Sequence, residues 1–205
     1  MTTLLDQLVP QHGLEIESSR LRLRAVRAAD LHTLHAIRTD PMVMEYMSTG
    51  VETEPDAEKS HSVVRVQMMM KPDNFAFAVT TKGTADGTVP LEAQEGREAI
   101  GFIGIARYPE VFFIFERASW GKGYATEALE AFLVTYWSNF PNGLQQTSQE
   151  HKDILQAYVV AENSGSARVL EKVGFKQIGT ALAQIGDRKD VLERVYEIQR
   201  PLGYK

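Results

Sequence analysis

The residues with the clearest chemical potential form a glycine-containing stretch near the middle of the chain. Gly121 and Gly123 flank Lys122 where an apolar run gives way to a helical pattern. Glycine allows tight turns and positive φ values, and a helix that follows presents unpaired N–H groups and the positive end of its dipole. The stretch therefore predicts an anion site, with phosphate as the natural ligand. A turn that only connects two elements is the alternative.

Two familiar phosphate-binding motifs do not fit this stretch. The Walker pattern needs a glycine ahead of the Gly-Lys pair where Glu116 stands, and a Ser or Thr where Gly123 stands. The dinucleotide fingerprint needs a third Gly or Ala at the position of Thr126. Sites for ATP and NAD therefore lose support, and a nucleotide-binding module is kept only as a third possibility.

The composition bounds the remaining chemistry. The chain has 205 residues, 43% of them hydrophobic and 24% charged, and it contains no cysteine. Thiolate metal sites, disulfides and a cysteine nucleophile are thereby excluded. The five histidines form no spaced ligand set with acids, so we predict no metal. A net charge of −5 predicts no nucleic-acid partner, and an N-terminus without a basic start or a sustained apolar run predicts no signal peptide or membrane segment. The absence of cysteine fits a cytoplasmic location.

Hydrophobic periodicity predicts the elements that must position this stretch. In the opening run 20–24, Leu21 and Leu23 should face inward and the arginines outward. Asp30 is expected to cap a first helix, and a second should run from Pro55 toward Met70, with Met68, Met69 and Met70 in the core. Strands are predicted at 75–79, 99–105, 111–115, 154–160, 175–179 and 192–198, helices at 125–138 and 164–173, and long loops at 80–99 and 139–151.

Two segments carry a resemblance to a known family. The run Trp-Gly-Lys-Gly-Tyr-Ala-Thr-Glu-Ala at 120–128 resembles the acetyl-coenzyme A motif of the GNAT acetyltransferases, in the form found in their RimJ/RimL-like branch. The segment 160–175, with Asn163 and Ser166 ahead of a helix that ends in Gly-Phe, resembles the family's second signature. The likeness covers about 20–198, including the segment 40–47. It implies that 1–205 is a single GNAT domain of the α/β (α+β) class, with a central mixed, mostly antiparallel, splayed sheet flanked by helices.

The resemblance also implies a cofactor site for acetyl-coenzyme A. Its pantetheine arm would lie between the strands 111–115 and 154–160, and the backbone from Trp120 to Ala125 would hold its pyrophosphate. Asn163 is matched to a polar cofactor contact, although it can equally cap the helix at 164–173, and the two roles could coexist. Three basic side chains could approach phosphates or be solvated surface charges: Lys122, Arg168 and Lys172. The implied cofactor-binding residues are Ile114, Phe115, Trp120, Gly121, Lys122, Gly123, Tyr124, Ala125, Thr126, Asn163 and Ser166.

The catalytic residues are implied less completely. Direct acetyl transfer needs a neutral amine, donors that polarise the thioester carbonyl and an acid for the departing thiolate. Many GNAT enzymes use a tyrosine as this acid, but the matching position here is Leu170. The RimL-like pattern instead places Ser166 near the sulfur. Glu110 is the candidate base, Glu116 is the alternative, and either can be an ordinary solvated carboxylate.

The sequence therefore predicts an N-acetyltransferase that moves acetyl from acetyl-coenzyme A directly to a primary amine of a small molecule or a protein N-terminus. The absent tyrosine keeps open a second class of function, a non-catalytic sensor that binds acyl-coenzyme A. Acetyl-coenzyme A and an amine acceptor are the expected partners, and both a monomer and a homodimer are compatible with the sequence.

Overall fold

A computed structural model describes residues 14–71, 74–82, 98–144 and 152–203. Its strands are β1 (Ile16–Glu17), β2 (Leu21–Ala25), β3 (Ala76–Thr81), β4 (Gly101–Arg107), β5 (Glu110–Phe115), β6 (Ile154–Val160), β7 (Lys176–Ile185) and β8 (Arg188–Gln199). Its helices are α1 (Leu31–Thr39), α2 (Pro41–Met44), α3 (His61–Met69), α4 (Tyr124–Asn139) and α5 (Ser164–Lys172).

The strands form one sheet in the order β1-β2-β3-β4-β5-β6-β8-β7. Every neighbouring pair is antiparallel except β5 and β6, which are parallel because α4 carries the chain back between them. These two strands share one register position, Glu110 opposite Gln156, and the Gln156 N–H donates to the Pro109 carbonyl at 2.8 Å. They then diverge toward their carboxyl ends. The predicted mixed, mostly antiparallel and splayed sheet is confirmed.

Two hydrophobic layers cover the two faces of the sheet. Side chains alternate along a strand, so Ile103 and Phe102 of β4 enter different layers. The Ile103 layer packs under α4 and α5 with Phe77 and Phe132, both fully buried. The Phe102 layer packs under α1 and α3 with Leu34 and other aliphatic side chains. The helix α4 is therefore packed against one face of the sheet.

The predicted elements form, but several boundaries differ. β3 continues through Thr81, so the predicted loop begins later, and most of it lies outside the described residues, as does most of 139–151. The terminal hairpin is much longer than predicted, because β8 pairs along its length with both β6 and β7. Pairing of this kind stabilises strand conformation in segments whose own apolar pattern is weak.

The helix predicted from Pro55 to Met70 is wrong in its first part. A short 3-10 turn at Ala57–Lys59 ends in the extended residue Ser60, whose hydroxyl accepts from the Ser62 N–H at 3.2 Å and caps α3. The core assignment of the three methionines is also wrong for two of them. Met69 is buried, whereas Met68 and Met70 face outward on α3 and just beyond it.

The prediction that the arginines of the opening strand face outward is wrong for one of them. Leu21 and Leu23 are buried as expected, but Arg24 is buried too. Its guanidinium donates to both carboxylate oxygens of Asp30 at 2.7 and 2.8 Å. Asp30 also accepts from the Arg27 N–H at 2.8 Å and makes no capping hydrogen bond to α1. A buried ion pair thus replaces the predicted helix cap.

Candidate functional site

A cavity of about 560 Å³ opens where β5 and β6 diverge. Its walls come from the end of β5, the turn before α4, the start of α5 and the segment around α2. The predicted cofactor-binding residues all line it except Lys122, which is exposed in the same turn. The splay of the sheet therefore gathers two motifs that lie about forty positions apart in the sequence. The size suits a large organic ligand.

The turn before α4 is built on glycine. Gly121 and Gly123 have φ values of 73° and 79°, in the left-handed region where a side chain is strained. Gly123 is also the N-cap residue of α4 and has no side chain with which to cap it. The first-turn N–H groups of α4 therefore remain available to an anion at the cavity wall.

Trp120 connects this turn to β5. Its indole Nε1–H donates to the Phe115 carbonyl at 3.0 Å, while 47% of the residue's surface is exposed beside the cavity. The hydrogen bond holds the end of β5 and the beginning of the turn in one rigid unit.

The start of α5 forms the facing wall. The Asn163 side-chain oxygen accepts from the Ser166 N–H at 3.0 Å, so Asn163 caps the helix as predicted. Asn163 also lines the cavity, and its predicted contact with a cofactor stays a prediction. Ser166 is half-buried in the first turn of α5 and lines the cavity. Arg168 and Lys172 line it as well, and Arg168 is held by the Ser164 carbonyl at 3.2 Å.

Sequence reasoning from periodicity missed one wall of the cavity. Met42, Val43, Glu45, Tyr46 and Met47 line it from α2 and the turn that follows. The hairpin between β7 and β8 fastens this segment, since the Gly186 N–H donates to the Ser48 carbonyl and Arg188 donates to the Glu45 carbonyl, both at 3.2 Å. The only sequence signal for this wall was the family likeness of segment 40–47.

The cavity wall near Tyr46 is acidic. The pKa of Tyr46 is raised above its usual value. The largest cause is removal from water, and the carboxylates of Glu45 and Glu162 add to it, while Arg188 partly opposes the shift. Glu45 and Glu162 both line the cavity. The cavity lining therefore carries both negative charge, from Glu45 and Glu162, and positive charge, from Arg168 and Lys172.

The candidate bases lie away from the cavity lining. Glu110 is at the closed end of the splay and accepts from Arg107 Nε at 3.0 Å. Glu116 follows the other end of β5 and accepts from the Ser119 hydroxyl at 2.8 Å.

Burial, and secondarily the charge of Glu110, raises the pKa of Glu193 on β8. Sequence reasoning did not single out Glu193, because only the pairing of β8 with β6 brings it toward Glu110.

Leu170, at the position of the usual tyrosine acid, is fully buried in the layer under α4 and α5. Ser166 and Val169 of the same helix line the cavity, whereas Leu170 does not.

Within the described ranges, no set of three His, Asp or Glu side chains is arranged to hold a metal ion. Among the same residues, no helix combines the length and apolar character needed to cross a membrane.

Comparisons with known proteins agree with this architecture. Residues 20–176 match the family described as acetyltransferase (GNAT) domain. The uncharacterized N-acetyltransferase YnaD of Bacillus subtilis (strain 168) is 27% identical over 171 residues, which cover 81% of this chain and 85% of that protein. A GNAT-family acetyltransferase structure from Bacillus anthracis aligns with a TM-score of 0.67 and 23% identity over 91% of this chain and 98% of that one.

The chain belongs to the GNAT acetyltransferase family, and it is therefore an acyltransferase. The fold neighbours include the ribosomal-protein-S5-alanine acetyltransferase of Vibrio fischeri, with a TM-score of 0.65 and 15% identity over 94% of this chain and 99% of that one. At this identity the neighbour shows a shared fold, and the likeness to the RimJ/RimL-like branch stays a prediction. The family prediction made from two short motifs is confirmed.

Proposed function

We propose that this chain transfers the acetyl group of acetyl-coenzyme A directly to a primary amine of a small molecule or a protein N-terminus. One observation carries the proposal. A single cavity brings the glycine turn at the start of α4 together with Ser166 at the start of α5, across the gap between β5 and β6. We further propose that the whole chain acts as one domain in the cytoplasm.

The glycine turn suits the pyrophosphate of coenzyme A. Uncapped N–H groups and the positive end of the α4 dipole attract phosphate oxygens. Arg168 and Lys172 on the facing wall add positive charge. Lys122 is exposed and not part of the lining, so its contribution would come from its backbone and its long-range charge.

The free edge of β5 suits the pantetheine arm. The Glu116 N–H donates to the Ile100 carbonyl, next to β4, at 3.0 Å. Along a strand, every second residue directs its backbone N–H and C=O to the same side, so the backbone groups of Ile114 also face β4. The backbone groups of Phe113 and Phe115 then face the gap, where β6 has diverged. The Phe115 carbonyl already accepts from Trp120, so we assign pantetheine hydrogen bonds to the backbone of Phe113 and to the Phe115 N–H, with Ile114 contributing its side chain to the lining.

Catalysis would use Ser166 and a carboxylate. The Asn163 cap fixes the first turn of α5 and thereby the position of Ser166, whose hydroxyl would donate to the departing sulfur. Because a serine hydroxyl is a weak acid, the thiolate would take its proton through water. Glu110 remains the proposed base and would act through water, since it lies beyond the cavity lining.

The test is an acceptor screen that detects free coenzyme A with a thiol reagent, since a chain without cysteine gives no thiol background. Polyamines, aminoglycosides and peptides with free N-termini form the panel. Release of thiol with any of them, together with acetylated product by mass spectrometry, supports the proposal. Thermal stabilisation by coenzyme A without turnover on the panel would indicate the sensor, and stabilisation by ATP or NAD but not by coenzyme A would indicate a nucleotide-binding module.

A further inference from the structure

The glycine turn is attached to the opening segment of the chain by an arginine and a glutamate. Arg20 precedes β2, and Glu127 lies in the first turn of α4. Arg20 Nε donates to one Glu127 oxygen at 2.7 Å, and the Arg20 N–H donates to the other at 2.7 Å. The Ser18 hydroxyl also donates to Glu127 at 2.7 Å. Both carboxylate oxygens of Glu127 are therefore occupied.

The same guanidinium reaches the turn itself. Arg20 Nη1 donates to the Lys122 carbonyl at 3.0 Å, between the two glycines of positive φ. The Arg20 guanidinium carbon lies 4.8 Å from the centre of the Tyr124 ring, and a Cβ added at Gly123 would lie 3.4 Å from Arg20 Nη2. Arg20 therefore spans from the turn to the first turn of the helix that follows it.

The charge of Glu127 makes this contact consequential for an anion. Partial burial acts to raise the pKa of Glu127, but hydrogen bonds from the Arg20 backbone, Ser18 and the Arg20 side chain outweigh it and lower the pKa. Glu127 is therefore ionised at neutral pH, one turn from the N–H groups that would receive the pyrophosphate. Without Arg20, this carboxylate would repel a phosphate at the same helix end.

We propose that Arg20 and Glu127 form a clamp that positions the glycine turn for the pyrophosphate of coenzyme A, with both acting as positioning residues behind the turn. The inference rests on the cofactor site proposed above. Arg20 would hold the Lys122 carbonyl away from the phosphates, so that the neighbouring N–H groups face the cavity, and would neutralise Glu127.

The test compares acetyl-coenzyme A with S-acetyl-pantetheine, a thioester that has the pantetheine arm but no pyrophosphate. Wild type, Arg20→Ala, Arg20→Lys and Glu127→Gln are assayed with both donors under subsaturating conditions. Arg22→Ala is the matched control, because Arg22 lies two residues further on, in β2, and pairs with Glu15 rather than with the turn. Coenzyme A affinity is measured in parallel by calorimetry.

The clamp predicts that Arg20→Ala lowers coenzyme A affinity and kcat/KM for acetyl-coenzyme A by about tenfold or more, while kcat/KM for S-acetyl-pantetheine stays within about twofold. Arg20→Lys should be impaired as well, because one ammonium cannot span both partners. Full activity of Arg20→Lys would mean that a positive charge alone is sufficient at this position, and it would overturn the clamp. An equal loss with both donors would indicate general destabilisation and would also overturn it.

Two further outcomes separate this inference from the proposed function. If wild type binds coenzyme A and Arg20→Ala binds it equally well, the clamp fails and the cofactor site stands. If wild type shows no binding of coenzyme A, both proposals fail. Should Arg20→Ala not fold, Arg20→Lys and Glu127→Gln carry the same comparison, with loss confined to the pyrophosphate-bearing donor as the supporting result.

Discussion

At the scale of single residues, α5 explains how this chain can lack the usual tyrosine. Ser166 and Leu170 are four positions apart, yet Ser166 lines the cavity and Leu170 is fully buried. A tyrosine at 170 would have to displace core side chains in this structure, at a typical cost of about 1–3 kcal/mol. The hydroxyl nearest in sequence that reaches the cavity from this helix is that of Ser166, one turn earlier.

Ser166→Ala tests this assignment. We expect kcat to fall by about 10²-fold with little change in coenzyme A affinity, because the hydroxyl would act on the departing thiolate rather than on the bound cofactor. Ser138→Ala is the control, since Ser138 is an exposed residue on α4 that bonds only to the Val134 carbonyl in the hydrogen bonds described. An unchanged kcat in Ser166→Ala would remove Ser166 from catalysis.

Glu193 gives a prediction about pH. Its pKa is raised by burial and then by Glu110, so its ionised form is disfavoured in the folded state. At a pH below the unfolded-state pKa of 4.5, the raised pKa of Glu193 contributes its full stabilisation to the folded state. This stabilisation is lost as the pH rises through the folded-state pKa. Glu193→Gln should therefore raise Tm relative to wild type at pH 7 to 8, with the difference shrinking below about pH 4.5.

Thermal unfolding across this pH range checks the prediction. Glu130→Gln, at an exposed position on α4, serves as the control for exchanging a carboxylate for an amide. A lower Tm for Glu193→Gln at pH 7 would mean that the carboxylate makes favourable contacts that outweigh its burial.

At the scale of elements, the turn before α4 depends on backbone conformation more than on side-chain space. A Cβ added at Gly121 would meet nothing within 4 Å, and the same holds for Gly179 on β7. The two positions differ in backbone angle, because Gly121 has a φ of 73° and Gly179 is outside the positive-φ region. Because an added side chain is uncrowded at both positions, a difference between the two alanine variants would come from φ.

Gly121→Ala should lower the free energy of unfolding by about 1–2 kcal/mol, the usual cost of a left-handed residue with a side chain. It should also weaken coenzyme A binding, because the strained turn would relax and redirect its N–H groups. Gly179→Ala should be near neutral in both measurements. Denaturant unfolding and calorimetric titration provide the test, and equal effects at the two sites would contradict a role for φ.

At the scale of the whole molecule, the two halves of the sheet touch at one register position and need other ties. Arg200, just past β8, supplies one of them at the end opposite the cavity. Its guanidinium donates to the carbonyls of Trp137 at 3.1 Å, Phe140 at 2.7 Å and Lys152 at 3.2 Å, and it pairs with Asp153 at 2.8 Å. It thereby joins the end of α4 to the strands β6 and β8.

Arg200→Ala should lower the free energy of unfolding by about 2–4 kcal/mol, since several carbonyls lose a charged donor in a site where the arginine side chain is 8% exposed. Coenzyme A affinity should stay unchanged in the folded protein, because none of these groups lines the cavity. Urea unfolding and calorimetry measure the two quantities. Arg107→Ala, which removes an exposed pair with Glu110, should cost much less stability.

The local sequence by itself was enough for the glycine turn, the cap at Asn163 and most strands and helices. These depend on short-range requirements, such as φ at Gly121, an acceptor ahead of α5 and the alternation of Leu21 and Leu23. The family likeness of two short motifs was also enough to identify the family. Such features are encoded within a few neighbouring positions, so no tertiary contact is needed to predict them.

Only the tertiary structure decided how these pieces meet. The cavity wall at 42–47, the burial of Arg24 against Asp30, and the contact of Arg20 with the glycine turn all join segments whose pairing no local pattern specifies. The physical reason is that a charged side chain in an alternating strand has the same sequence pattern whether it is solvated or paired. Its partner is chosen by packing of the sheet against α4, which brings residues about one hundred positions apart into hydrogen-bonding distance.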